Sequence, residues 1–188
     1  MTNRSLFFFL ILFSTSASAG NMPKGNAGVI PYACQNGQAL VLLAYDPYYK
    51  RKGWGAFGGG NKFGETIDET ASREFNEETN CAFEKLHLSS QPYSVSANYY
   101  TFLAPVSYQP VFAISANQGD CSNVERHSWL WLQHSDLVHA LDNNTDIHVA
   151  NNLGYDASIH LWSGARRSLT QALKDGVLQR QLDCQGSK

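Results

Sequence analysis

No two of the four cysteines stand at CxxC spacing, which argues against a zinc ribbon or a thioredoxin-like centre. The six histidines form no HExxH or similar pair, so none is assigned as a metal ligand. Basic residues are not in excess either. The 14 Lys and Arg face 16 Asp and Glu, and a weakly acidic domain does not grip a nucleic-acid backbone without specificity. Long apolar runs are missing: Leu6 to Phe13 contains eight residues, whereas a bilayer needs roughly 20. There is no internal repeat and no sign of a second domain. What remains is a chain of 188 residues, 43% of them hydrophobic, enough to bury the core of one domain.

The opening stretch, MTNRSLFFFLILFSTSASAG, has a positive start at Arg4, an apolar run and a small-residue exit at Ala17-Ser18-Ala19. That is the order of a secretory signal peptide over residues 1–19, with cleavage expected after Ala19 and a single domain over residues 20–188. The other reading, an uncleaved anchor or a buried first helix, finds no support in helical periodicity. Cleavage would leave 13 basic against 16 acidic residues, a charge of −3. The mature protein is then expected to be secreted or periplasmic, with no membrane attachment. An oxidising compartment permits pairing among Cys34, Cys81, Cys121 and Cys184, with the connectivity open. Cys81 also reads as a buried thiol after a helix end.

Along the chain, residues 27–33 and 39–45 read as two strands joined at Asn36-Gly37, a pair that tolerates positive φ. Residues 46–60, DPYYKRKGWGAFGGG, are too rich in Gly and aromatics for a regular element and read as a loop ending in a tight turn. Strands are expected over 95–106, 110–116 and 128–132, with Ser135 capping a short helix that contains Leu137, His139, Ala140 and Leu141. A polar loop over 146–154 and a largely helical 156–178 complete the reading. The class is α/β, a mixed sheet with helices packed on it.

The segment from Gly59 to Cys81, GGNKFGETIDETASREFNEETNC, gathers six carboxylates around one arginine. Thr66 and Glu69 have the spacing of a capping box, and the repeat of Ile67, Ala71 and Phe75 predicts a helix from about residue 67 to 79. At about 100° per residue those three form the inward stripe, with Glu69, Ser72 and Asn76 opposite. Glu78 falls inside the stripe and Glu74 on its flank, with Glu77 about 60° further round. Like charges at i, i+4 repel, and a carboxylate buried beside Phe75 is costly unless neutralised. A divalent cation is a fitting neutraliser, since hard ions such as Mg²⁺ take carboxylate oxygens and keep positions for water and phosphate. Arg73 adds a permanent charge able to hold one glutamate in a bidentate pair. On composition alone, a solvated charged helix is the competing account. Against it stand the placement of Glu74 and Glu78 and the preceding Gly58-Gly59-Gly60, where backbone can approach a ligand closely.

In spelling, the segment resembles the Nudix box: Gly59, five residues, Glu65, seven residues, then Arg73-Glu74-Phe75-Asn76-Glu77-Glu78-Thr79. Seven defined positions match, Cys81 can serve as the final hydrophobic, and Asn80 stands where the family has glycine. Asparagine is the best substitute for glycine in the left-handed conformation at a helix end. Trp54, the Phe57-Gly58-Gly59 turn and WLWLQHSDL over residues 129–137 extend the likeness.

The resemblance implies an α/β/α sandwich and hydrolysis of a nucleoside diphosphate linked to another group. It further implies that Glu74, Glu77 and Glu78 bind Mg²⁺ or Mn²⁺, that Arg73 orients them, and that Glu65 supports the loop or a further metal. For the general base, Glu78 or Glu77 is the first choice and Glu125 the candidate outside the box. On the substrate side, Tyr49, Lys50 and Arg51 offer an aromatic ring and cations beside the glycine turn; a solvated loop is the alternative. Trp54, Tyr99 and Tyr100 are further stacking candidates, with core packing the plainer role. With an export signal, extracytoplasmic ADP-ribose, NAD, dinucleoside polyphosphates or nucleotide sugars fit better than cytosolic nucleotides. A nucleotide-binding module without activity, or a host-directed interaction protein on the same scaffold, are the competing functions.

Overall fold

A computed structural model describes residues 22–117, 125–150, 156–179 and 181–184; the expected leader and Cys121 lie outside these. Its first feature is the hairpin of β1 (Asn26–Gln35) and β2 (Gln38–Asp46). Asn36 and Gly37 form its two-residue turn with φ of 52° and 75°, the left-handed pair such a turn requires. Inside the segment expected to be all loop, two short strands form, β3 (Gly53–Gly55) on β2 and β4 (Phe57–Gly59) on β1.

The helix α1 (Ile67–Glu78) follows. Its capping box closes with the Thr66 N–H donating to Glu69 Oε2 at 2.9 Å. Two strands then appear where the sequence predicts one: β5 (Tyr93–Ser96) and β6 (Tyr99–Pro105) pair as a hairpin around Ala97-Asn98, both at positive φ. Without a glycine, and with an alanine at a left-handed position, that turn carries no ordinary sequence signal. The expected strand over 110–116 is instead the short helix α2 (Val111–Ala116), begun at Pro110 and closed by Asn117 N–H donating to Ala113 O.

Next come β7 (Trp129–Gln133) and α3 (His134–Asn143), whose N-cap position is Gln133, two residues before the expected Ser135. The predicted polar loop contains β8 (Ile147–Ala150), which pairs with β9 (Asp156–Ile159). Buried Ile147 and Ile159 face each other in this ribbon. Only the remainder of the predicted long helix is helical, α4 (Ser163–Lys174). Four-residue strands are too short for their alternation to stand out against the neighbouring polar residues.

The sheet is mixed, in the order β3-β2-β1-β6-β5, with β4 also on β1 and β7 on β2. The β1–β6 pair is parallel and the others are antiparallel. Period-2 alternation splits the strands between two cores. On one face Ala27, Val29, Leu42, Ala44 and Phe102 pack with Ile67, Ala71 and Phe75 of α1. On the other, Ile30, Val41, Leu43 and Leu103 pack with Leu137 and Leu141 of α3 and with Leu169 and Leu173 of α4. The α/β/α sandwich thus follows directly from strand residues that are apolar on both sides. Among the described residues, no helix is long and apolar enough to cross a membrane.

One disulfide joins Cys34, at the end of β1, to Cys184 near the carboxy terminus. Cys81 is disulfide-bonded as well, so it is not the buried thiol the sequence allowed.

Candidate active site

The site forms where α1 meets the β4 turn. Glu74 and Glu78 lie on the face of α1 that packs on the sheet, only 8% and 1% exposed, as the helical spacing predicts. The segment before β7 brings in Glu125. Carboxylate oxygens of Glu74, Glu78 and Glu125 lie within 4.8 Å of one another, with Glu125 exposed. Three acidic oxygens so close repel one another, and the arrangement suits a hard divalent cation. The backbone has been cut back to make room: a Cβ on Gly59 would stand 2.6 Å from the Glu74 carboxyl carbon.

Burial is the main force on these groups. It raises the Glu74 carboxyl above its usual range despite the adjacent Arg73. It pushes Glu78 up to about 7, although the Arg126 guanidinium and the Gly58 N–H favour its charged form and partly offset the desolvation. Both Glu78 oxygens are engaged: Oε2 accepts from Gly58 N–H at 2.9 Å, and Oε1 accepts a very short bond from Arg126 Nη2. Trp129 Nε1–H donates to the Glu78 carbonyl at 2.9 Å, which ties β7 to the end of α1.

Arg73 is the fastener of the opposite side. Its Nε and Nη2 reach Glu65 at 2.7 and 3.0 Å, a bidentate pair that holds the Glu65 carboxyl down to about 2. Nη1 reaches Glu74 and Glu77, both at 2.8 Å, and Nη2 also donates to Gly60 O at 2.8 Å. Glu77 is therefore held by Arg73 and, at 3.2 Å, by Lys62, outside the three-carboxylate group. Glu65 likewise lies outside that group, supporting the loop through Arg73.

Of the substrate-side candidates, Gly58, Gly59 and Arg51 line a cavity of about 330 Å³ next to the carboxylates. Gly60 contributes its carbonyl to Arg73. Tyr49 is 74% exposed, with the Lys50 ammonium 5.5 Å from its ring centroid, and neither lines that cavity. Trp54 packs edge-on against Tyr45 at 5.6 Å.

Sequence reading missed the charge network behind Glu78. Arg126 also pairs with Asp46 Oδ2 at 2.8 Å, and Arg51 pairs with the same oxygen at 2.8 Å. Asp46 is 2% exposed and Arg126 8%, so two buried carboxylates share one guanidinium. The nearest signal was the position of Arg126 just before the tryptophan strand, which by itself resembles any surface arginine. Ser72, expected opposite the inward stripe, is also buried, and its hydroxyl donates to Leu86 O at 3.1 Å beneath the segment carrying Phe83 and Leu88. Asn80 adopts φ of 53°, as the glycine position requires, and its side-chain amide donates to Ile114 O, docking α2 against the end of α1.

Comparison with known proteins gives the family and the fold. A family model described as the NUDIX domain matches residues 22–152. An uncharacterized protein, L534, of Acanthamoeba polyphaga mimivirus is 44% identical over 72 residues, covering 35% of this chain and 23% of that protein. The chain thus spans less than a quarter of that relative's length. A Nudix hydrolase of M. Smegmatis, RenU, is similar in structure with a TM-score of 0.50 and 16% identity, over 85% of this chain and 90% of that one. A MutT/nudix family protein from Enterococcus faecalis has a TM-score of 0.52 and 15% identity, over 97% of this chain and 68% of that one. The family match extends over most of the residues that build the sheet, α1 and the carboxylate group, and the chain belongs to the Nudix family.

Proposed function

We propose that this chain is a metal-dependent hydrolase that cleaves a phosphoric anhydride bond in a nucleoside diphosphate linked to another group, and that it acts outside the cytosol as residues 20–188. The observation that carries the reading is the convergence of the Glu74, Glu78 and Glu125 carboxylates beside the Gly58-Gly59 backbone. These three side chains would hold Mg²⁺ or Mn²⁺, which when bound neutralises charge on the diphosphate and lowers the pKa of water.

The remaining work falls to the chain itself. Glu125 is the exposed member of the group and is the one open to water, so it takes the proton from the attacking water. Glu78, engaged at both oxygens, is a holding residue. Arg73 fixes the Glu74 pose, keeps Glu65 charged and holds Glu77 in an ion pair beside the loop. Arg51 and Arg126, at the cavity wall, favour a phosphate on that side.

Export is supported by the leader-like sequence and by the Cys34–Cys184 disulfide, which suits an oxidising compartment. Hydrolysis requires only water, metal and substrate, so it works where ATP is not supplied. ADP-ribose, NAD, dinucleoside polyphosphates and nucleotide sugars are the substrate classes expected.

Residues 20–188, oxidised and supplied with Mg²⁺ or Mn²⁺, are to be assayed against that panel together with Glu78→Gln, Glu125→Gln and Glu77→Gln. Metal-dependent cleavage, lost with Glu78→Gln and slowed with Glu125→Gln, is the expected outcome. A folded protein that binds nucleotides and cleaves none of them would instead be a binding module. Export is checked by fusing residues 1–25 to a reporter that is active only outside the cytosol.

A further inference from the structure

The cavity of about 330 Å³ beside the carboxylate group is bounded by the β4 glycines, the β5–β6 turn and the start of α4. Three observations mark it as a built site. Thr101, on its wall, is 2% exposed, and its hydroxyl has no hydrogen-bond partner among the described residues. Buried hydroxyls are ordinarily paired, and this one, like that of its cross-strand neighbour Ser94, has no partner among the described residues.

Trp162, the residue before α4, supplies an aromatic wall. Its indole lies in a slot that only glycine leaves open: a Cβ on Gly55 would stand 2.7 Å from Nε1, and one on Gly164 would stand 1.9 Å from ring carbon Cζ3. Trp162 remains half-buried, keeping part of the ring at the cavity surface.

Charge is the third observation. Arg51, Arg126 and Arg167 line the cavity, and among the described residues no carboxylate does. Arg51 and Arg126 share Asp46 behind the wall, while Arg167, exposed on α4, has no carboxylate partner among the described residues. Gly58 and Gly59 connect this cationic space to the acids, since Gly58 N–H donates to Glu78 and Gly59 abuts Glu74.

We propose that this cavity is the subsite for the nucleoside monophosphate half of the substrate. The base packs on Trp162, a polar atom of the base or ribose pairs with the Thr101 hydroxyl, and the phosphate nearest the carboxylates is held by Arg167 and Arg51. An apolar ligand would leave the Arg167 guanidinium without a carboxylate or phosphate partner, and a sugar phosphate would leave the indole unused. The assignment rests on the diphosphate-hydrolase reading above and deepens it by placing recognition on α4, outside the glutamate-rich segment.

The test uses AMP, which has no anhydride bond to cleave, and ribose 5-phosphate, which has no base. Binding of each to metal-free residues 20–188 is measured by calorimetry and by quenching of tryptophan fluorescence. AMP is expected to bind in the millimolar range or tighter, with ribose 5-phosphate weaker by roughly 5- to 150-fold, the range of one base–aromatic stack. Trp162→Leu should bring AMP down to the level of ribose 5-phosphate. Arg167→Met, a change at an exposed position that leaves the fold intact, should weaken both about tenfold, as for a charge-assisted hydrogen bond.

Equal binding of the two probes, no AMP binding at millimolar concentration, or AMP binding unaffected by both substitutions would each overturn the subsite. Anhydride hydrolysis with unchanged KM in both variants would also overturn it while leaving the hydrolase standing. Conversely, AMP binding that both variants lose, in a wild-type chain that cleaves nothing, would sustain the subsite and sink the hydrolase.

Discussion

Arg126→Met isolates the electrostatic problem on which the site is built. Asp46 and Glu78 are 2% and 1% exposed and share the Arg126 guanidinium, with Arg51 as a second partner for Asp46 alone. Removing one partner of a buried ion pair costs about 3–5 kcal/mol, because the other charge is left desolvated. For a domain of this size each kcal/mol is worth about 2–4 °C, so the metal-free variant should melt roughly 6–20 °C below the wild type near pH 8.

The deficit should depend on pH. Glu78 ionises near 4.5 in the unfolded chain and at about 7 in the folded one, so its buried charge weighs on the fold increasingly as pH climbs between those values, and fully above them. Arg126 is one of the groups pulling that value down, so the variant's Glu78 stays protonated to still higher pH. Melting at pH 6 should then show a smaller deficit than at pH 8. Saturating Mg²⁺ should also shrink it, because the bound cation takes over the role of the guanidinium and stabilises only the folded chain. Thermal melts at both pH values, with and without Mg²⁺, test all of this. A deficit equal under all four conditions would show that Arg126 acts by packing alone, and the charge argument would be refuted.

Gly59→Ala places a methyl 2.6 Å from the Glu74 carboxyl carbon; Mg²⁺ affinity measured by calorimetry should fall at least tenfold, roughly 1.4 kcal/mol, with the helical circular dichroism unchanged. Metal binding must deprotonate Glu78, so Mg²⁺ affinity should rise with pH up to about 7 and level off above it, with proton release seen as a buffer-dependent calorimetric heat below that point. Cys34→Ser opens a disulfide of sequence separation 150, and the chain-entropy relation gives a loss of about 5 kcal/mol, checked by urea denaturation of the oxidised variant against oxidised wild type, with Cys184→Ser expected to match the variant.

How far the sequence could be read depended on the range of each interaction. The β1–β2 hairpin was legible because Asn36-Gly37 carries its own conformational preference, and α1 because its cap and apolar stripe repeat within one segment. The anomaly of Glu74 and Glu78 on the buried face was visible from helical geometry alone. The β5–β6 turn was hidden because Ala97 holds a left-handed φ, a conformation that alanine does not signal. The sequence Val111–Ala116 has strand-like composition, yet it folds as α2, docked through Asn80 and Asn117. For α2, contacts from a distant segment outweighed local preference.

The spacing of Gly59, Glu65 and Arg73 to Glu78 by itself determined the family, the loop-helix unit and the set of acids, because those positions lie within a few helical turns of one another. Tertiary structure alone decided which acids meet. Glu125, 47 residues beyond Glu78, joins Glu74 and Glu78, while Arg73 and Lys62 draw Glu77 aside. It likewise placed Arg126 against Asp46 and Glu78, and Trp162 and Arg167 of the α4 region on the far wall of the cavity. The physical reason is that local spacing fixes direction along one element, whereas a buried charge takes its partner from whatever segment the sheet brings beside it.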